Sequence, residues 1–282
     1  MNYRHAFHAG NHADVLKHSV LARIIDLLKG KDKPFAFLDA HAGIGHYDLE
    51  SEQALKTGEW QSGIGKMADP FSEDVEAVLA PYRSVILKMN SYGGARNYPG
   101  SPKLVLDLLR KTDRLIANEL HPEDLQTLRY NIGQDQRVQI SQLDAGLAVK
   151  SQLPFKERRG VTLLDAPFEV LDETERTLKA LEIGHKRFST GVFVIWYPVT
   201  TDEFATKFID AMRDLALPNM LHAELRIKSA MVRGGLAGSG LVIVNPPWNL
   251  EPDLQVLMPA LAERLGVEGR GRGLVQWLTP PK

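Results

Sequence analysis

The stretch FAFLDAHAGIG, residues 35–45, decides the fold of this chain. Four apolar residues are followed by an aspartate and a turn of small residues that contains two glycines. A continuous apolar run bounded by glycine is typical of a parallel strand that is covered on both faces. Because an open α/β sheet binds its ligand at the carboxyl ends of its strands, the stretch predicts a buried strand followed by a ligand-binding loop.

The composition is that of an ordinary globular protein and does not select a function. Of the 282 residues, 44% are hydrophobic and 24% are charged, with a formal net charge of −1. There is no run of about 18 apolar residues and no signal-peptide pattern, so we expect a cytoplasmic protein without membrane contact. The absence of cysteine excludes disulfides and thiolate metal sites. A charge near zero leaves nucleic acid open as a partner, since a local basic patch binds phosphate.

Apolar stretches alternate with helical patterns along most of the chain. Six further strands are predicted at residues 114–120, 137–140, 161–164, 191–198, 221–227 and 240–244. Helical periodicity is found over residues 13–29, 71–91, 102–110, 122–131, 172–186 and 203–215. This alternation predicts a seven-stranded, doubly wound α/β sheet.

Residues 46–110 interrupt the alternation. They are rich in glycine and proline and show helical patterns, and no strand of any length is predicted within them. We interpret them as a small helical subdomain inserted after the first strand, over the ligand face, where substrate-recognising loops usually lie. Residues 1–45 and 111–282 then form the core, in which residues 1–31 are an N-terminal arm and helix.

Four of the predicted strands end in or near an acidic residue. These residues are Asp39, Glu119, Asp144 and Asp165. An acid at the tip of the second strand is where nucleotide-binding sheets hold a ribose diol, which fits a nicotinamide dinucleotide or S-adenosylmethionine. A dinucleotide fold needs G-x-G-x-x-G directly after the first strand, and the loop AHAGIGHYD lacks the third glycine at that spacing. The pattern therefore favours the smaller adenosyl ligand.

The tetrapeptide Asp165-Ala166-Pro167-Phe168 resembles the D-P-P-Y/F motif of S-adenosylmethionine-dependent amino-methyltransferases. The exocyclic amine of adenine is a poor nucleophile because its lone pair is delocalised into the ring. A carboxylate and a backbone carbonyl that accept its two N–H bonds aim the nitrogen at the methyl group, and the carboxylate can also take up the proton. An aromatic ring stacks on the base, which has to leave its own stack to reach the site.

Three other patterns admit a functional interpretation that we disfavour. Asn245-Pro246-Pro247-Trp248 also fits the amino-methyltransferase motif, but it follows three further strands and reads better as a turn. The glycine-rich residues 233–240 precede a strand instead of a helix, which favours a hairpin or mobile loop over a phosphate site. The spacing of His5, His8 and His12 suits a metal, but Gly10 and Asn11 break the helix that this site needs.

Several sequence blocks together resemble the RlmJ-type 23S ribosomal RNA adenine-N6 methyltransferases. The most specific block is Tyr3-Arg4-His5 followed by FHAGNHADVLKH, residues 7–18. The others are LDAHAG (38–43), YPGSP (98–102), ELHP (119–122), WYP (196–198) and VNPPW (244–248). The match spans essentially the whole chain. It implies a seven-stranded methyltransferase sheet with a helical insertion, S-adenosylmethionine as cofactor without a metal, and methylation of one adenine N6 in 23S ribosomal RNA, beside an older link to the use of external DNA as a nutrient.

The resemblance also implies roles for individual residues. Around the cofactor it places His18, His41, Ser101, Glu119, Asp144 and Ala145, with Glu119 on the ribose and Lys17 next to the site. Asp165 is the implied catalytic carboxylate, and the implied substrate contacts are Tyr3, Arg4, Ala166 and Phe168. Without the family resemblance, each residue has an alternative interpretation: His18 as a core histidine, Ser101 as a helix cap and Glu119 as a surface acid.

The chain departs from the family at two positions of the catalytic motif. The family has proline where this chain has Ala166 and tyrosine where it has Phe168. Alanine keeps the carbonyl that accepts the amine hydrogen bond but loses the fixed φ that aims it. Phenylalanine still stacks and lacks only the hydroxyl. We therefore expect methyl transfer to be retained at a reduced rate.

The expected partner is protein-free 23S ribosomal RNA, bound by a monomer. Basic residues expected to contact it are Arg4, Lys150, Lys156, Arg158, Arg159, Lys186, Arg187 and Arg233. Three other classes of function compete with this one: a nucleic-acid-binding protein for the use of external DNA, a nicotinamide oxidoreductase and a histidine-metal nuclease.

Overall fold

The first predicted strand, β1 (Ala36–Asp39), is buried along its whole length because its apolar side chains pack on both faces of the sheet. The computed structural model describes residues 4–230 and 235–281. The other strands in these ranges are β2 (His46–Asp48), β3 (Asn97–Pro99), β4 (Arg114–Asn118), β5 (Val138–Ser141), β6 (Gly160–Leu164), β7 (Val192–Val199), β8 (Met220–Arg226), β9 (Gly238–Val244) and β10 (Arg272–Thr279). The α-helices are α1 (His12–Lys29), α2 (Glu52–Thr57), α3 (Glu59–Ser62), α4 (Glu73–Met89), α5 (Ser101–Leu108), α6 (Pro122–Ile132), α7 (Ala145–Gln152), α8 (Glu173–Arg187), α9 (Asp202–Asp214) and α10 (Leu250–Leu265).

Eight strands form one sheet in the order β10-β8-β9-β7-β6-β1-β4-β5. From β5 to β7 all neighbours are parallel, whereas β9, β8 and β10 are antiparallel to their neighbours. The predicted doubly wound α/β sheet is confirmed, but the predicted count of seven strands is one too low. The additional strand, β10, covers the edge of β8.

Two apolar layers cover the faces of the sheet. On one face α1 is central and contacts α4, α5 and α10. On the other face α7 packs on α8, and α8 and α9 contact β7. Asn11 caps α1, since its side-chain oxygen accepts hydrogen bonds from the backbone N–H groups of Ala13 and Asp14. The cap fixes the start of the helix that carries His12, Lys17 and His18.

The region between β1 and α5 contains α2, α3 and α4 together with a two-stranded antiparallel sheet of β2 and β3. The prediction that this region contains no strand is therefore wrong; each of these strands has only three residues, too few to show a pattern. We propose that the region is the subdomain predicted for residues 46–110. It is joined to the N-terminal arm at Gly63, where a Cβ atom would lie 2.1 Å from the carbonyl oxygen of Gly10.

Among the described residues, no helix is long and apolar enough to span a membrane.

Candidate active site

A cleft of about 1800 Å³ runs along one edge of the sheet, at the carboxyl ends of β5, β4, β1, β6, β7 and β8. Its walls include residues from the arm and from the inserted region as well as from the sheet. We name its two ends by the strands that border them. The β4 half is lined by Glu119, His121 and Asp144, and the β7 half is lined by Trp196, Pro198 and Lys228. The tip of β6, which carries Asp165, lies between them.

In the β4 half, the loop after β1 is bound to the tip of β4. Gly43 has a φ of +59°, and its backbone N–H donates to Oε2 of Glu119 at 2.8 Å. The other oxygen, Oε1, accepts the N–H of His121 at 2.7 Å. Burial raises the pKa of Glu119, and this effect is larger than the opposite effect of the two hydrogen bonds, which lower it. A carboxylate has about four lone-pair sites, so Glu119 retains acceptor capacity for a hydroxyl pair in the cleft.

Asp39 and Ser101 form a buried pair beneath this loop. The Ser101 hydroxyl donates to Oδ2 of Asp39 at 2.7 Å, and the backbone N–H of His41 donates to Oδ1 at 3.2 Å. Asp39 is completely buried, and this burial raises its pKa to about 7. Ser101 is the first residue of α5, but the cap of that helix is Gly100. The interpretation of Ser101 as a helix cap is therefore wrong.

Asp39→Asn is expected to flatten the pH dependence of stability. Because the folded-state pKa of about 7 lies above the ordinary 3.8, the folded state binds this proton more tightly than the unfolded state. The resulting stability is present below about pH 4 and is lost as the pH rises through about 7. Asparagine does not ionise, so the variant should gain stability relative to the wild type over that range, as measured by urea denaturation at several pH values.

Asp48→Asn is the control for this measurement. The hydrogen bond from Arg96 lowers the pKa of the half-buried Asp48, so its replacement should give a constant stability difference above about pH 5. An Asp39→Asn curve parallel to the wild-type curve would show that Asp39 does not titrate in this range.

Two histidines of the predicted cofactor set, the buried His18 and the half-buried His41, are neutral. The Nδ1 atom of His18 lies 3.0 Å from the hydroxyl of Tyr98, and the two rings stack with centroids 5.5 Å apart. Burial lowers the pKa of His18 to about 3, and its Nε2 has no hydrogen-bond partner among the described residues. His41 accepts the backbone N–H of Asp165 at 3.3 Å through Nδ1, and burial lowers its pKa as well.

Asp144 and Ala145 lie at the start of α7, on the outer wall of the β4 half. Oδ1 of Asp144 accepts the backbone N–H groups of Gly146 and Leu147 and so caps the helix. Asp144 itself is exposed, and both residues line the cleft. The structure thus gathers all six residues of the predicted cofactor set on one side of Asp165. The buried His18 contributes only to the floor of the cleft.

At the centre of the cleft, Lys17 binds the predicted catalytic carboxylate. Its Nζ lies 2.6 Å from Oδ2 of Asp165 and 3.0 Å from Oδ1 of Asp14. Burial opposes the ammonium charge, but the two carboxylates outweigh it and raise the pKa of Lys17. The other oxygen of Asp165, Oδ1, has no hydrogen-bond partner within the described residues. Lys17 thus fixes the carboxylate by one oxygen and leaves the second available.

Phe168 turns back toward the cleft through a left-handed backbone conformation, with φ +52°. Such a conformation costs a bulky residue about 1–3 kcal/mol and is concentrated at functional sites. The ring makes edge contacts with Trp196, Phe204 and Phe208, each with centroids 5.9 Å apart. These three rings fix its orientation. Ala166, two residues earlier in the same motif, is buried at 1% exposure.

The predicted RNA contacts fall in different places. Tyr3 and Arg233 lie outside the described residues. The guanidinium of Arg4 forms ion pairs with Glu123 and Asp124 of α6, which puts it over the β4 half and not beside Phe168. Lys150 lines the same half.

The remaining predicted RNA contacts lie at the opposite edge of the sheet from the cleft, and their contact with RNA stays a prediction. They precede β6 or end α8, the helix before β7, and therefore lie at the amino ends of the parallel strands; they are Lys156, Arg158, Arg159, Lys186 and Arg187. Arg159 donates to two backbone carbonyls and lies over the ring of Phe35.

The motif at residues 245–248 also lies at that opposite edge. Strand β9 is antiparallel to β7, so its last residue, Val244, pairs with Phe193 near the start of β7. The side chain of Asn245 donates to the backbone carbonyls of Ser189 and Gly191. Its predicted role as a turn, instead of as a catalytic group, agrees with this position.

Trp196 is a site residue to which sequence reasoning assigned no role. Its ring faces the Nζ of Lys17 at 6.0 Å and packs against Phe168. The block WYP (196–198) resembles the family and could have indicated Trp196 as a site residue. No group of three or more potential metal-ligating side chains occurs among the described residues.

Comparisons with known proteins agree with this architecture. A sequence model of the family described as "Ribosomal RNA large subunit methyltransferase D, RlmJ" matches residues 32–279. The chain is 42% identical to "Ribosomal RNA large subunit methyltransferase J" of Haemophilus influenzae, and 40% identical to the protein of that name from Escherichia coli, over 99% of each chain in both cases. The crystal structure of LPL1258 from Legionella pneumophila superposes with a TM-score of 0.85 at 29% identity, over 95% of this chain and 97% of that one. The chain belongs to the RlmJ family of ribosomal RNA large subunit methyltransferases.

Proposed function

We propose that the protein transfers a methyl group from S-adenosylmethionine to N6 of a specific adenine in 23S ribosomal RNA, acting on a flipped-out base. Membership of the family and the names of the relatives support methylation of ribosomal RNA. One observation supports an amine as the methyl acceptor. At the tip of β6, one oxygen of Asp165 is fixed by Lys17, and the other has no hydrogen-bond partner among the described residues.

The β4 half suits S-adenosylmethionine. Its lining is rich in acidic groups, among them Glu119 and Asp144, which match a cofactor with an ammonium group, a sulfonium charge and ribose hydroxyls. Two buried ring nitrogens, Nε2 of His18 and Nδ1 of His121, have no hydrogen-bond partner among the described residues, although Nε2 of His18 lies 3.9 Å from Oδ1 of Asp14. Both histidines line the cleft. We assign the cofactor to His18, His41, Ser101, Glu119, Asp144 and Ala145, without a metal.

When bound, S-adenosylmethionine supplies an electrophilic methyl group on a sulfonium. Oδ1 of Asp165 and the carbonyl of Ala166 accept the two N–H bonds of the adenine amine and hold its nitrogen toward the β4 half. Such positioning lowers a barrier by about 7–11 kcal/mol when the geometry is close to attack. The carboxylate also accepts the proton that leaves the nitrogen, and the ammonium of Lys17 stabilises the anionic form that performs this step.

Phe168 provides the surface on which the base rests. A base inside a helix cannot reach N6 attack geometry, so the nucleotide has to leave its stack, at a cost of a few kcal/mol. Stacking on an aromatic ring stabilises the flipped-out base by about 1–3 kcal/mol, which offsets part of this cost. Because Trp196 and two phenylalanines already fix the ring, little further ordering is needed when the base arrives.

The test is methyl transfer from tritiated S-adenosylmethionine to protein-free 23S transcripts, followed by nucleoside analysis. We expect N6-methyladenosine at one position, with the enzyme acting as a monomer in the cytoplasm. Transfer only to assembled particles would correct the proposed partner. Nucleic-acid binding that is unchanged in Asp165→Ala, with no transfer to any RNA, would instead support a binding protein for external DNA.

Ala166→Pro is expected to raise the turnover number. Proline fixes φ at about −65°, which aims the carbonyl that accepts the amine hydrogen bond, whereas alanine leaves φ less restricted. The measurement is kcat at saturating RNA, with the melting temperature as a check on folding. An unchanged or lower kcat in a folded variant would show that alanine already holds the carbonyl in place.

A further inference from the structure

A row of three buried side chains joins the inserted region to the floor of the cleft. Nδ1 of His18 lies 3.0 Å from the hydroxyl of Tyr98, and that hydroxyl lies 3.1 Å from the hydroxyl of Tyr82. All three side chains are at most 1% exposed. Tyr98 belongs to β3 and Tyr82 to α4, whereas His18 belongs to α1. The inserted region therefore reaches a residue of the predicted cofactor set by hydrogen bonds.

The number of hydrogen atoms in this row is fixed. Burial raises the pKa of both tyrosines and lowers the pKa of His18, so each phenol keeps its hydrogen and the neutral imidazole carries one. The hydroxyls of Tyr82 and Tyr98 have no other hydrogen-bond partner among the described residues. A buried hydroxyl hydrogen without an acceptor is destabilising. The row should therefore be arranged so that each phenol has an acceptor.

One arrangement meets this condition. In it, Tyr82 donates to the oxygen of Tyr98, and Tyr98 donates to Nδ1 of His18. In the reverse arrangement, His18 donates to Tyr98 and Tyr98 donates to Tyr82, which leaves the hydrogen of Tyr82 without an acceptor among the described residues. If both neighbours donate to Tyr98, its own hydrogen is left without an acceptor. Because a neutral imidazole whose Nδ1 accepts carries its hydrogen on Nε2, the first arrangement fixes the tautomer of His18.

Nε2 of His18 is then a donor on the floor of the cleft. It has no hydrogen-bond partner among the described residues, and the side chain lines the cleft. Oδ1 of Asp14 lies 3.9 Å from this nitrogen, beyond hydrogen-bond distance, and its charge favours a hydrogen on the nitrogen that faces it. Asp14 is itself paired with Lys17 at 3.0 Å and with His5 at 2.8 Å, which reduces its repulsion of an anionic ligand group.

We propose that Tyr98 and Tyr82 are positioning residues that hold the hydrogen of His18 on Nε2, and that this N–H donates to the carboxylate of the methionyl group of S-adenosylmethionine. The inference rests on the proposed function, because it requires the cofactor to lie in the β4 half. The ammonium and the sulfonium of the cofactor are cationic and match the acidic lining at Glu119 and Asp144. The carboxylate is anionic and needs a donor instead.

The test compares S-adenosylhomocysteine with its decarboxylated analogue, in which hydrogen replaces the carboxylate. In calorimetric titrations, Tyr98→Phe should weaken the binding of S-adenosylhomocysteine by about 5-fold or more, since it releases the donor of a hydrogen bond to a charged group. It should leave the binding of the analogue unchanged. Phenylalanine keeps the ring that stacks on His18, and thermal unfolding checks the fold. Tyr92→Phe is the matched control, an exposed tyrosine of the inserted region, and should bind both ligands as the wild type does.

The tautomer is measured independently in the cofactor-free protein by the ¹⁵N chemical shifts of labelled histidine, with the signals of His18 identified by their loss in His18→Phe. The wild type should carry the hydrogen on Nε2, whereas Tyr98→Phe and, to a smaller extent, Tyr82→Phe should show both tautomers. A wild-type His18 with its hydrogen on Nδ1 would overturn the positioning role. So would a folded Tyr98→Phe variant that loses no affinity, or loses the same affinity for both ligands. Wild-type protein that binds neither S-adenosylhomocysteine nor S-adenosylmethionine would overturn the proposed function instead.

Discussion

Asp165→Asn is expected to lower kcat by about 10²–10⁴-fold, the range that general acid–base groups contribute, while the affinity for S-adenosylmethionine changes little. The amide has the size of the carboxylate and still presents an oxygen, so the base is bound. It carries no charge, however, and it does not take up the proton from N6. The measurements are single-turnover methyl transfer and cofactor titration by calorimetry.

Glu169→Gln is the matched control, since this exposed acid follows in the same loop and has no assigned role. It should retain wild-type turnover. If Asp165→Asn kept more than about a tenth of the wild-type kcat, Asp165 would be a positioning group at most, and the mechanism would need another proton acceptor.

Lys17→Met is expected to lower both stability and activity. The ammonium lies between two carboxylates, is 4% exposed and neutralises Asp14 and Asp165. Removing one partner from a buried ionic cluster costs about 3–5 kcal/mol, because the remaining charge is left uncompensated. Asp165 would also lose the contact that fixes Oδ2. Urea denaturation should show the loss of stability, and methyl transfer should fall even where the variant is fully folded.

The double variant Lys17→Met/Asp165→Asn separates these two effects. It removes the charge of Asp165, whose only ion pair in the structure is with Lys17, whereas Asp14 keeps His5 as a partner at 2.8 Å. The double variant should therefore be more stable than Lys17→Met alone, and its activity should stay as low as that of Asp165→Asn. Equal stability of the single and double variants would mean that the cluster is not electrostatically coupled.

The sequence predicted those helices and strands whose hydrophobic pattern is long or strongly apolar. The apolar run before Asp39 identified β1, and helical periodicity found α1 almost to the residue. Strand β10 was missed although its segment follows a glycine-rich turn, because an edge strand with half-exposed residues has no strong apolar pattern. Helices α7 and α10 were not assigned either, and α7 has only eight residues.

The candidate site was predictable where residues lie at strand tips. The acids Asp39, Glu119 and Asp165 follow parallel strands, and such ends meet at one edge. The ion pair between Lys17 and Asp165 joins positions 148 apart, and no local pattern contains that information. The position of Arg158 and Arg159 away from the cleft also follows from the sequence, since they directly precede a parallel strand and hence lie at its amino end.

The sheet is parallel at one end of the cleft and antiparallel at the other, so the loops at the two ends differ in how far their lengths can change in evolution. At the β4 end, α6 and α7 begin within a few residues of β4 and β5, so an inserted residue would displace the helix starts that shape the pocket. At the β7 end, β8 and β9 are antiparallel neighbours, and a connection of that kind can change in length while the strands stay paired. Relatives that modify other nucleotides are expected to differ in the length of the segment between Arg226 and Gly238, and to agree in the loops after β4 and β5.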